Sequence, residues 1–411
     1  MHKTIHKIIL SCVAFGGLFC MNTSLEARNP YHADIVVGAE SARFSESTIL
    51  NLIEDLETIS IQRRIAVYTS NSAASLFLNL RGLIGIASYA ANSTALTISI
   101  PQAGISETFV GATREESNQL FDEFIKNDPH ASLNLRKAHA KYTAIDPIAG
   151  NPNSLMSLMT QADYLLGRLS PLAGCDYCWT AQPIHNQFQA GIQTGWAFCD
   201  EFTTSVFTLP LRYTYSRDLN YAFIIDAPQT FLVNGRAVSY NGSLATGLRV
   251  PITHEWSLTT IFRGGLGLSG DLSTAGIFAS AGMVSDLDFK FCDYVLTMDN
   301  YVGYIVSTPF HAGGVNFDYH LYNFVFKNGL TLTSCNGFTC CGAPMNFNLT
   351  FTDTAFTGSS LFIDHYDEVT FSLVTTRVNP YIGYDSVSIG GSYQFGHRNY
   401  KGYTLNFIYQ F

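Results

Sequence analysis

Hydrophobic and polar positions alternate one by one through the C-terminal half of the chain, from about residue 187 to the end. Tyr213 and Tyr215, for example, alternate with Arg212 and Thr214. This period places apolar side chains on one face of a β-strand and polar side chains on the other. The pattern predicts about ten to fourteen antiparallel strands in an even meander over roughly 225 residues. Turn-forming pairs are expected at Gly270-Asp271, Ser285-Asp286 and Asn328-Gly329.

Between residue 28 and about residue 170 the apolar spacing is helical in some segments and alternating in others. Ser47 to Ile59 carries apolar residues at helical spacing, whereas Leu76 to Arg81 and Ala95 to Ile100 resemble short strands. Thr113-Arg-Glu-Glu116 is a capping box that begins a helix. Asn151 to Ser154 precedes another helix, whose Met and Leu residues are expected in a core. The mixture predicts a small α+β unit.

The composition of the two strand faces favours a membrane barrel over a water-soluble β-sandwich. Polar positions are mostly Thr, Ser, Asn, Gly and Gln, and apolar positions are rich in Tyr and Phe, which suit the aromatic girdles of a barrel. Charged residues make up 13% of the chain, about half the usual share. Pro210 and Pro251 lack the N–H that a central strand needs, so we expect them at rims or bulges. The predicted fold is an all-β transmembrane barrel of about 12 antiparallel strands, preceded by a small α+β domain.

The first residues have the layout of a secretory signal peptide. Lys3 and Lys7 precede an apolar run from Ile8 to Met21, which is too short to span a bilayer. We therefore predict a signal peptide at residues 1–27 and a soluble α+β domain at 28–185, in the periplasm or as a plug in the lumen. The outer-membrane barrel is predicted at 186–411. The formal net charge of −9 argues against nucleic acid as a partner.

The end of the chain and its leader together resemble bacterial outer-membrane β-barrel proteins of the porin-like kind. The chain stops on YKGYTLNFIYQF, with aromatic residues at Tyr403, Phe407, Tyr409 and Phe411. In such proteins the final strand is the signal that the barrel-assembly machinery reads, and the resemblance assigns this role to these four residues. It also implies location in the bacterial outer membrane, with membrane lipid and the assembly machinery as partners. The resemblance also allows a homo-oligomer, because pore barrels are often trimers.

Isolated charges within the strand-like segments are candidates for the barrel interior. A charge on the lipid side costs about 2–4 kcal/mol near the midplane, so strand charges should face the lumen. Several charges in one lumen would form an electrostatic constriction, and solvation at the rims is the equally open alternative. The lumen and constriction candidates are Arg212, Arg249, Arg263, Lys290, Arg377, Asp226 and Asp293.

Three short motifs offer further chemical hypotheses. Asp364-His365-Tyr-Asp367-Glu368 places a base beside carboxylates, as hydrolysis requires, but a polar loop has the same composition. Gly265 to Gly270 matches GxGxxG without a βαβ frame, so its glycines are expected to serve a strand bend or a turn. Cys175 and Cys178 have the spacing of a redox or zinc motif. In an exported chain disulfides are more common, and the odd number of cysteines after residue 27 leaves one thiol over. We expect no cofactor, no metal and no enzymatic activity.

The sequence therefore predicts a pore or transport channel for small solutes. The alternative is a non-conducting surface anchor, adhesin or structural protein of the envelope, and a hydrolase mounted on the barrel is third. Lipid-facing aromatic residues fit all three hypotheses and do not choose between them.

Overall fold

The computed structural model describes residues 29–168, 186–218, 221–312, 315–335, 338–340, 343–376 and 386–410. The predicted signal peptide, the pair Cys175 and Cys178, and the candidates Arg377 and Phe411 lie outside these ranges. Their predictions stay as stated. No helix in the described ranges is long and apolar enough to cross a membrane.

The described chain begins with a six-stranded antiparallel sheet in the order β2-β1-β3-β4-β5-β6. Its strands are β1 (Tyr31–Val37), β2 (Glu40–Glu46), β3 (Ala74–Leu80), β4 (Leu83–Tyr89), β5 (Ala95–Ile100) and β6 (Ile105–Val110). In the four inner strands nearly every second residue is buried on one face, including Ile35, Leu76 and Ile98. The other face carries exposed residues such as Phe77 and Ile86. The alternation therefore gives the sheet one core face and one open face.

Helices cover the core face of this sheet. They are α1 (Ile49–Asp55), α2 (Thr58–Arg64), α3 (Arg114–Asn127) and α4 (Pro129–Tyr142). The helix start predicted at Thr113 is confirmed, because its hydroxyl accepts the N–H of Glu116 (3.2 Å). The Glu116 carboxylate accepts the N–H of Ala112 (2.6 Å), one residue before the cap residue itself. The helix predicted over Ser47 to Ile59 is divided in two, since the backbone of Glu57 is extended (φ −65°, ψ 150°).

From Asn186 onward the described chain forms a closed antiparallel barrel of 12 strands. Its elements are β7 (Asn186–Cys199), β8 (Phe202–Leu209), β9 (Leu211–Asp218), β10 (Tyr221–Asp226), β11 (Gln229–Asn234), β12 (Ala237–Pro251), β13 (Trp256–Ser269), β14 (Thr274–Phe291), β15 (Tyr294–Thr308), β18 (Tyr322–Ser334), β20 (Ala343–Gly358), β21 (His365–Thr376), β22 (Ser386–Gly396) and β23 (Lys401–Gln410). Three short strands lie outside the wall: β16 (Phe310–Ala312) pairs with β17 (Val315–Phe317), and β19 (Phe338–Cys340) pairs with β20.

Two of the 12 barrel strands are interrupted, and the last strand closes the wall. Strands β8 and β9 form one barrel strand broken at Pro210, and β10 and β11 form another broken at Ala227-Pro228. Pro251 ends β12. Strand β23 pairs with β7, where Tyr403 lies opposite Trp196. The predicted fold, a barrel of about 12 antiparallel strands after a small α+β region, is confirmed.

Side chains of the wall alternate between the exterior and the lumen. Exterior positions carry large exposed apolar residues on every part of the wall, among them Phe223, Phe262, Phe324, Phe351, Phe371 and Leu405. Interior positions are mixed: some carry buried apolar residues such as Ile261 and Phe278, and others carry paired hydroxyls, as in the contacts of Thr208 with Thr230 (2.9 Å) and of Thr331 with Thr350 (3.0 Å). A continuous apolar exterior on a closed wall is the arrangement of a membrane barrel.

Two predicted turns and one expectation about cysteines are wrong. Strand β14 continues through Ser285-Asp286. Asp286 there faces the lumen and lies 4.0 Å from Arg249. Strand β18 continues through Asn328-Gly329, where the glycine faces a side chain in the lumen. The turn at Gly270-Asp271 is confirmed. Two cysteines of the described chain are free rather than one, Cys199 and Cys292, so the predicted disulfides do not include them.

The two ends of the barrel differ in what covers them. We call the end at which β7 begins and β23 ends the proximal end, and the opposite end the distal end. The N-terminal sheet and helices lie over the distal end. There the Tyr31 hydroxyl donates to the carbonyl of Leu272 (3.0 Å), and the N–H of Phe362 donates to the carbonyl of Ala140 (2.9 Å). Residues 143–154 then enter the barrel, followed by a fifth helix, α5 (Leu155–Gly167), which runs towards the proximal end.

Candidate functional site

Helix α5 lies in the barrel lumen, and most of its side chains are buried, although Leu165 is 40% exposed. Leu155, Met156, Met159, Tyr164 and Leu166 are each at most 1% exposed. The helix packs against the inner faces of β12, β13, β14 and β15. A helix with so many buried apolar side chains belongs in an interior, and here the interior is that of the barrel. The prediction that the Met residues lie in a core is confirmed.

Glycines on the inner face of the wall provide the space for this segment. A Cβ added at Gly265 would lie 2.5 Å from Sδ of Met159, and one added at Gly267 would lie 2.6 Å from Cδ1 of Ile148. Both glycines belong to the GxGxxG match, whose last glycine, Gly270, lies in a turn as expected. Gly329 faces Tyr164 at similarly close range. The glycines permit the close approach of the lumen segment to the wall.

Asp163 of α5 lies in a buried ionic network with the wall. Arg263 donates through Nε to Asp163 (2.6 Å) and through Nη2 to Asp226 (2.7 Å). The hydroxyls of Ser280 and Tyr301 each donate to Asp163 at 3.2 Å. The side chains of Arg263 and Asp163 are both 0% exposed. Because a buried charge is costly without its partner, this network holds α5 in one position against the wall.

Arg212 extends the same network along the wall. Its Nε donates to Asp226 (3.0 Å), and its Nη1 donates to the carbonyl of Leu165 on α5 (2.9 Å). The arginine therefore contacts both the wall and the helix backbone.

A second ionic group holds the C-terminal end of α5. Nε of Arg168 lies 2.9 Å from the carboxylate of Asp299, and the hydroxyl of Tyr164 donates to the same carboxylate at 3.4 Å. Nζ of Lys327 lies 5.3 Å from the centre of the Tyr164 ring and 3.7 Å from the carboxylate of Glu368. The helix is thus tied to β15 and β18 as well as to β13, and Lys327 links it to Glu368 of β21.

A third group joins the N-terminal sheet, the lumen segment and a distal loop. The carboxylate of Asp146 accepts the N–H groups of Ile148 (2.9 Å) and Ala149 (3.1 Å) and the hydroxyl of Tyr319 (3.0 Å). Arg81, which follows β3, lies 3.5 Å away. Burial raises the pKa of Asp146, while the positive charge of Arg81 acts in the opposite direction. One carboxylate therefore connects three separate parts of the chain.

The structure separates the predicted lumen residues into two groups. Arg249, Arg263, Asp226 and the less buried Arg212 lie in the interior, where α5 and the wall bind them. Lys290 and Asp293 are exposed at the proximal end. Arg377 lies outside the described residues. In the described lumen, these four charged side chains are each paired with an opposite charge.

The sequence analysis missed most of this ionic site. The missed residues are Arg81, Asp146, Asp163, Arg168, Asp299, Lys327 and Glu368. One signal was present, because Asp163 is the single charge in the apolar segment LMSLMTQADYLLG. A charge inside such a segment needs a buried partner. That partner, Arg263, lies 100 positions away in sequence, so the local pattern could not identify it.

The predicted assembly strand closes the barrel. Tyr403 and Leu405 of β23 are 47% and 58% exposed on the outer surface. Phe407 and Tyr409 share their parity and lie opposite Ile192 and Ala190 of β7. The role of this strand as an assembly signal stays a prediction.

The polar motif at the start of β21 does not pair as its sequence suggests. His365 hydrogen-bonds Asp353 of β20 (2.5 Å), and Asp364 lies 3.3 Å from Nδ1 of His397. Glu368 points into the lumen towards Lys327. The residues of the hydrolase hypothesis are therefore divided between the outer surface and the interior.

No protein-family model matches the chain, and no curated protein sequence matches it. The chain is similar to the solved β domain of the Bordetella autotransporter BrkA, with 11% identity, a TM-score of 0.43, and coverage of 55% of this chain and 99% of that one. The translocator domain of the autotransporter NalP from Neisseria meningitidis has 10% identity, a TM-score of 0.42, and coverage of 62% and 96%. The KdgM porin has 8% identity, a TM-score of 0.34, and coverage of 54% and 99%.

The fold follows from the wall of this chain itself. A closed antiparallel wall of 12 strands with an apolar exterior is the architecture of an outer-membrane β-barrel. The resemblance indicated by the sequence is confirmed at that level.

Proposed function

We propose that the protein is an outer-membrane barrel closed by its own chain, which anchors the N-terminal sheet and helices at its distal end. This is the surface-anchor alternative of the sequence analysis rather than the open pore. The observation that carries it is the position of α5, whose Asp163 is buried against Arg263 of the wall. The distal contacts of Tyr31 and Ala140 support the same function, because they seat the N-terminal elements on the barrel.

A pore of the full lumen width would require the lumen segment to leave the barrel. The ion pairs of Arg263 with Asp163 and of Arg168 with Asp299 would then break together. Each broken ion pair would leave a charged side chain of the wall without that partner, which is costly for a buried charge. The wall also has glycines where α5 approaches, which suits a permanent occupant better than a mobile solute.

We also propose which side of the membrane each end of the barrel faces. Strand β23 ends at the proximal end, and the assembly machinery implied by the resemblance acts from the periplasm. The proximal end then faces the periplasm, and the N-terminal elements face the exterior of the cell. In this orientation α5 carries the chain across the membrane inside the barrel.

Thiol labelling of intact cells tests this orientation. Cys292 is free and exposed in the proximal turn between β14 and β15, so a membrane-impermeant maleimide should reach it only after the outer membrane is permeabilised. Cys292→Ala is the matched control that identifies its signal among the other cysteines. Ala91→Cys, at an exposed turn of the N-terminal sheet, should react on intact cells. The reverse pattern of reactivity would contradict the proposed orientation.

Conductance in planar bilayers tests the closed lumen. The folded wild-type protein should insert without giving steady ion conductance, because α5 occupies the lumen. Heat-dependent migration on a gel would verify that the inserted protein is a folded barrel. Stable wild-type channels of porin size would overturn the anchor proposal in favour of the pore.

A further inference from the structure

Three side chains with metal-binding groups meet on the outer surface of the distal rim. Asp353 lies on β20, and His365 and Asp367 lie on β21. Asp353 is the cross-strand partner of Asp367, and His365 stands two residues from Asp367 on the same face of the strand. One ligand atom from each of the three lies within 4.8 Å of the others.

The three side chains are accessible from outside the barrel. Tyr366 and Glu368, which alternate with them, are buried in the interior. The next outward residues towards the proximal end are the exposed Phe351 and Val369, so the acidic pair lies where the apolar band ends. The side chains of Asp353 and His365 are 36% and 39% exposed. Water and ions can therefore reach this group beside the lipid surface.

The local charges favour a cation at this position. Asp353 and Asp367 are directly opposite each other, and like charges in that arrangement destabilise a strand pair. His365 hydrogen-bonds Asp353 through Nε2 (2.5 Å). The ring of His397 lies with its centre 5.5 Å from that of His365, and its Nδ1 is 3.3 Å from Asp364. A second imidazole thus stands beside the first at the same rim.

The kinds of ligand atom in this group indicate which metal ions it can bind. Ca²⁺ and Mg²⁺ prefer oxygen ligands alone, whereas an imidazole favours first-row transition metals such as zinc. Zinc binds carboxylate oxygen and imidazole nitrogen at about 2.0–2.2 Å in tetrahedral sites, which places neighbouring ligand atoms about 3.3 Å apart. The three ligand atoms here lie within 4.8 Å of one another, which is near that spacing.

We propose that Asp353, His365 and Asp367 bind one divalent transition-metal ion, with zinc as the best fit, on the outer face of the distal rim. The ion neutralises the opposed aspartates and links β20 to β21. Three protein ligands leave a further coordination position to water. The site is separate from the lumen and does not depend on the proposed anchor function.

Zinc titration of the full chain in detergent tests the proposal. After chelation and removal of the chelator, calorimetry with zinc chloride should show one saturable ion per chain. His365→Ala should weaken that binding by more than about tenfold, since even partners behind the ligands commonly contribute 10–100-fold. His320→Ala is the matched control, because His320 is an exposed rim histidine 3.9 Å from Asp318. It should bind zinc as the wild type does.

A second variant and a second readout keep the test independent of folding defects. Asp353→Asn preserves the shape of the side chain and should also weaken binding, with barrel folding checked by heat-dependent gel migration. Co²⁺ in place of zinc should give the visible absorption of a low-coordinate site in the wild type and lose it in both variants. Absence of saturable zinc in the wild type, or equal affinity in Asp353→Asn, His365→Ala and wild type, would overturn the proposal.

Discussion

Substitution of Arg263 by methionine should release α5 from the wall and admit ions to the lumen. Methionine keeps most of the apolar stem of arginine, so the main loss is the guanidinium group. Asp163 would then retain only the hydroxyls of Ser280 and Tyr301, while Asp226 would retain Arg212. Removing one partner from a buried ion pair costs about 3–5 kcal/mol.

This cost falls on the docking of the helix, because Asp163 belongs to α5 while Arg263 belongs to the wall. The strand ladder of the wall stays intact in the variant. At about 1.4 kcal/mol for each factor of ten, the equilibrium between docked and undocked helix shifts by about 100- to 4,000-fold. In planar bilayers we expect Arg263→Met to show frequent conducting events that the wild type lacks.

Arg249→Met provides the matched control for this experiment. Arg249 is also a buried arginine of the lumen, but its nearest partners, Ser257 (2.6 Å) and Asp286 (4.0 Å), both belong to the wall. Its loss should lower barrel stability without increasing conductance. If Arg263→Met conducted no more than Arg249→Met and the wild type, with all three folded, the reasoning about the lumen network would be refuted.

Three further predictions concern the glycine contacts, pH and assembly. Gly265→Leu should increase conductance because its side chain collides with Met159, whereas Gly264→Leu should not, since a Cβ there meets nothing within 4 Å; bilayer recording compares them. Burial and the charges of Arg81 and Arg136 hold the pKa of His139 well below 6.5, so the unfolded state binds a proton that the folded state does not. Stability of the N-terminal sheet should therefore fall as pH drops below about 6.5. Hydrogen exchange between pH 8 and pH 5 measures this, and a His139→Gln variant with the same pH dependence would contradict it. Deletion of Phe411 should reduce barrel assembly in cells more than it lowers the unfolding midpoint of purified protein; equal effects would argue against an assembly signal.

Local patterns predicted the strands and helices of this protein well where all side chains on one face of the element met the same surroundings, such as lipid. The two-residue period of the wall predicted its strands, because every second side chain faces lipid. The capping residue Thr113 predicted the start of α3, since its hydrogen bond with the N–H of Glu116 is local. The predicted turns at Ser285-Asp286 and Asn328-Gly329 failed because turn-forming residues have other uses inside a barrel. Asp286 lies near Arg249, and Gly329 makes room for Tyr164.

The sequence by itself determined that the C-terminal half is a barrel wall and that the segment after Ser154 is a buried helix. Helical spacing of apolar residues predicts that one face of the helix is buried, but it does not predict which surface that face packs against. Only the tertiary structure decided that α5 lies inside the barrel, because closure of β23 onto β7 creates the interior that receives it. The pairing of Asp163 with Arg263 likewise depends on strand register across 100 positions. Such contacts are set by how the whole wall closes, and no local pattern contains that information.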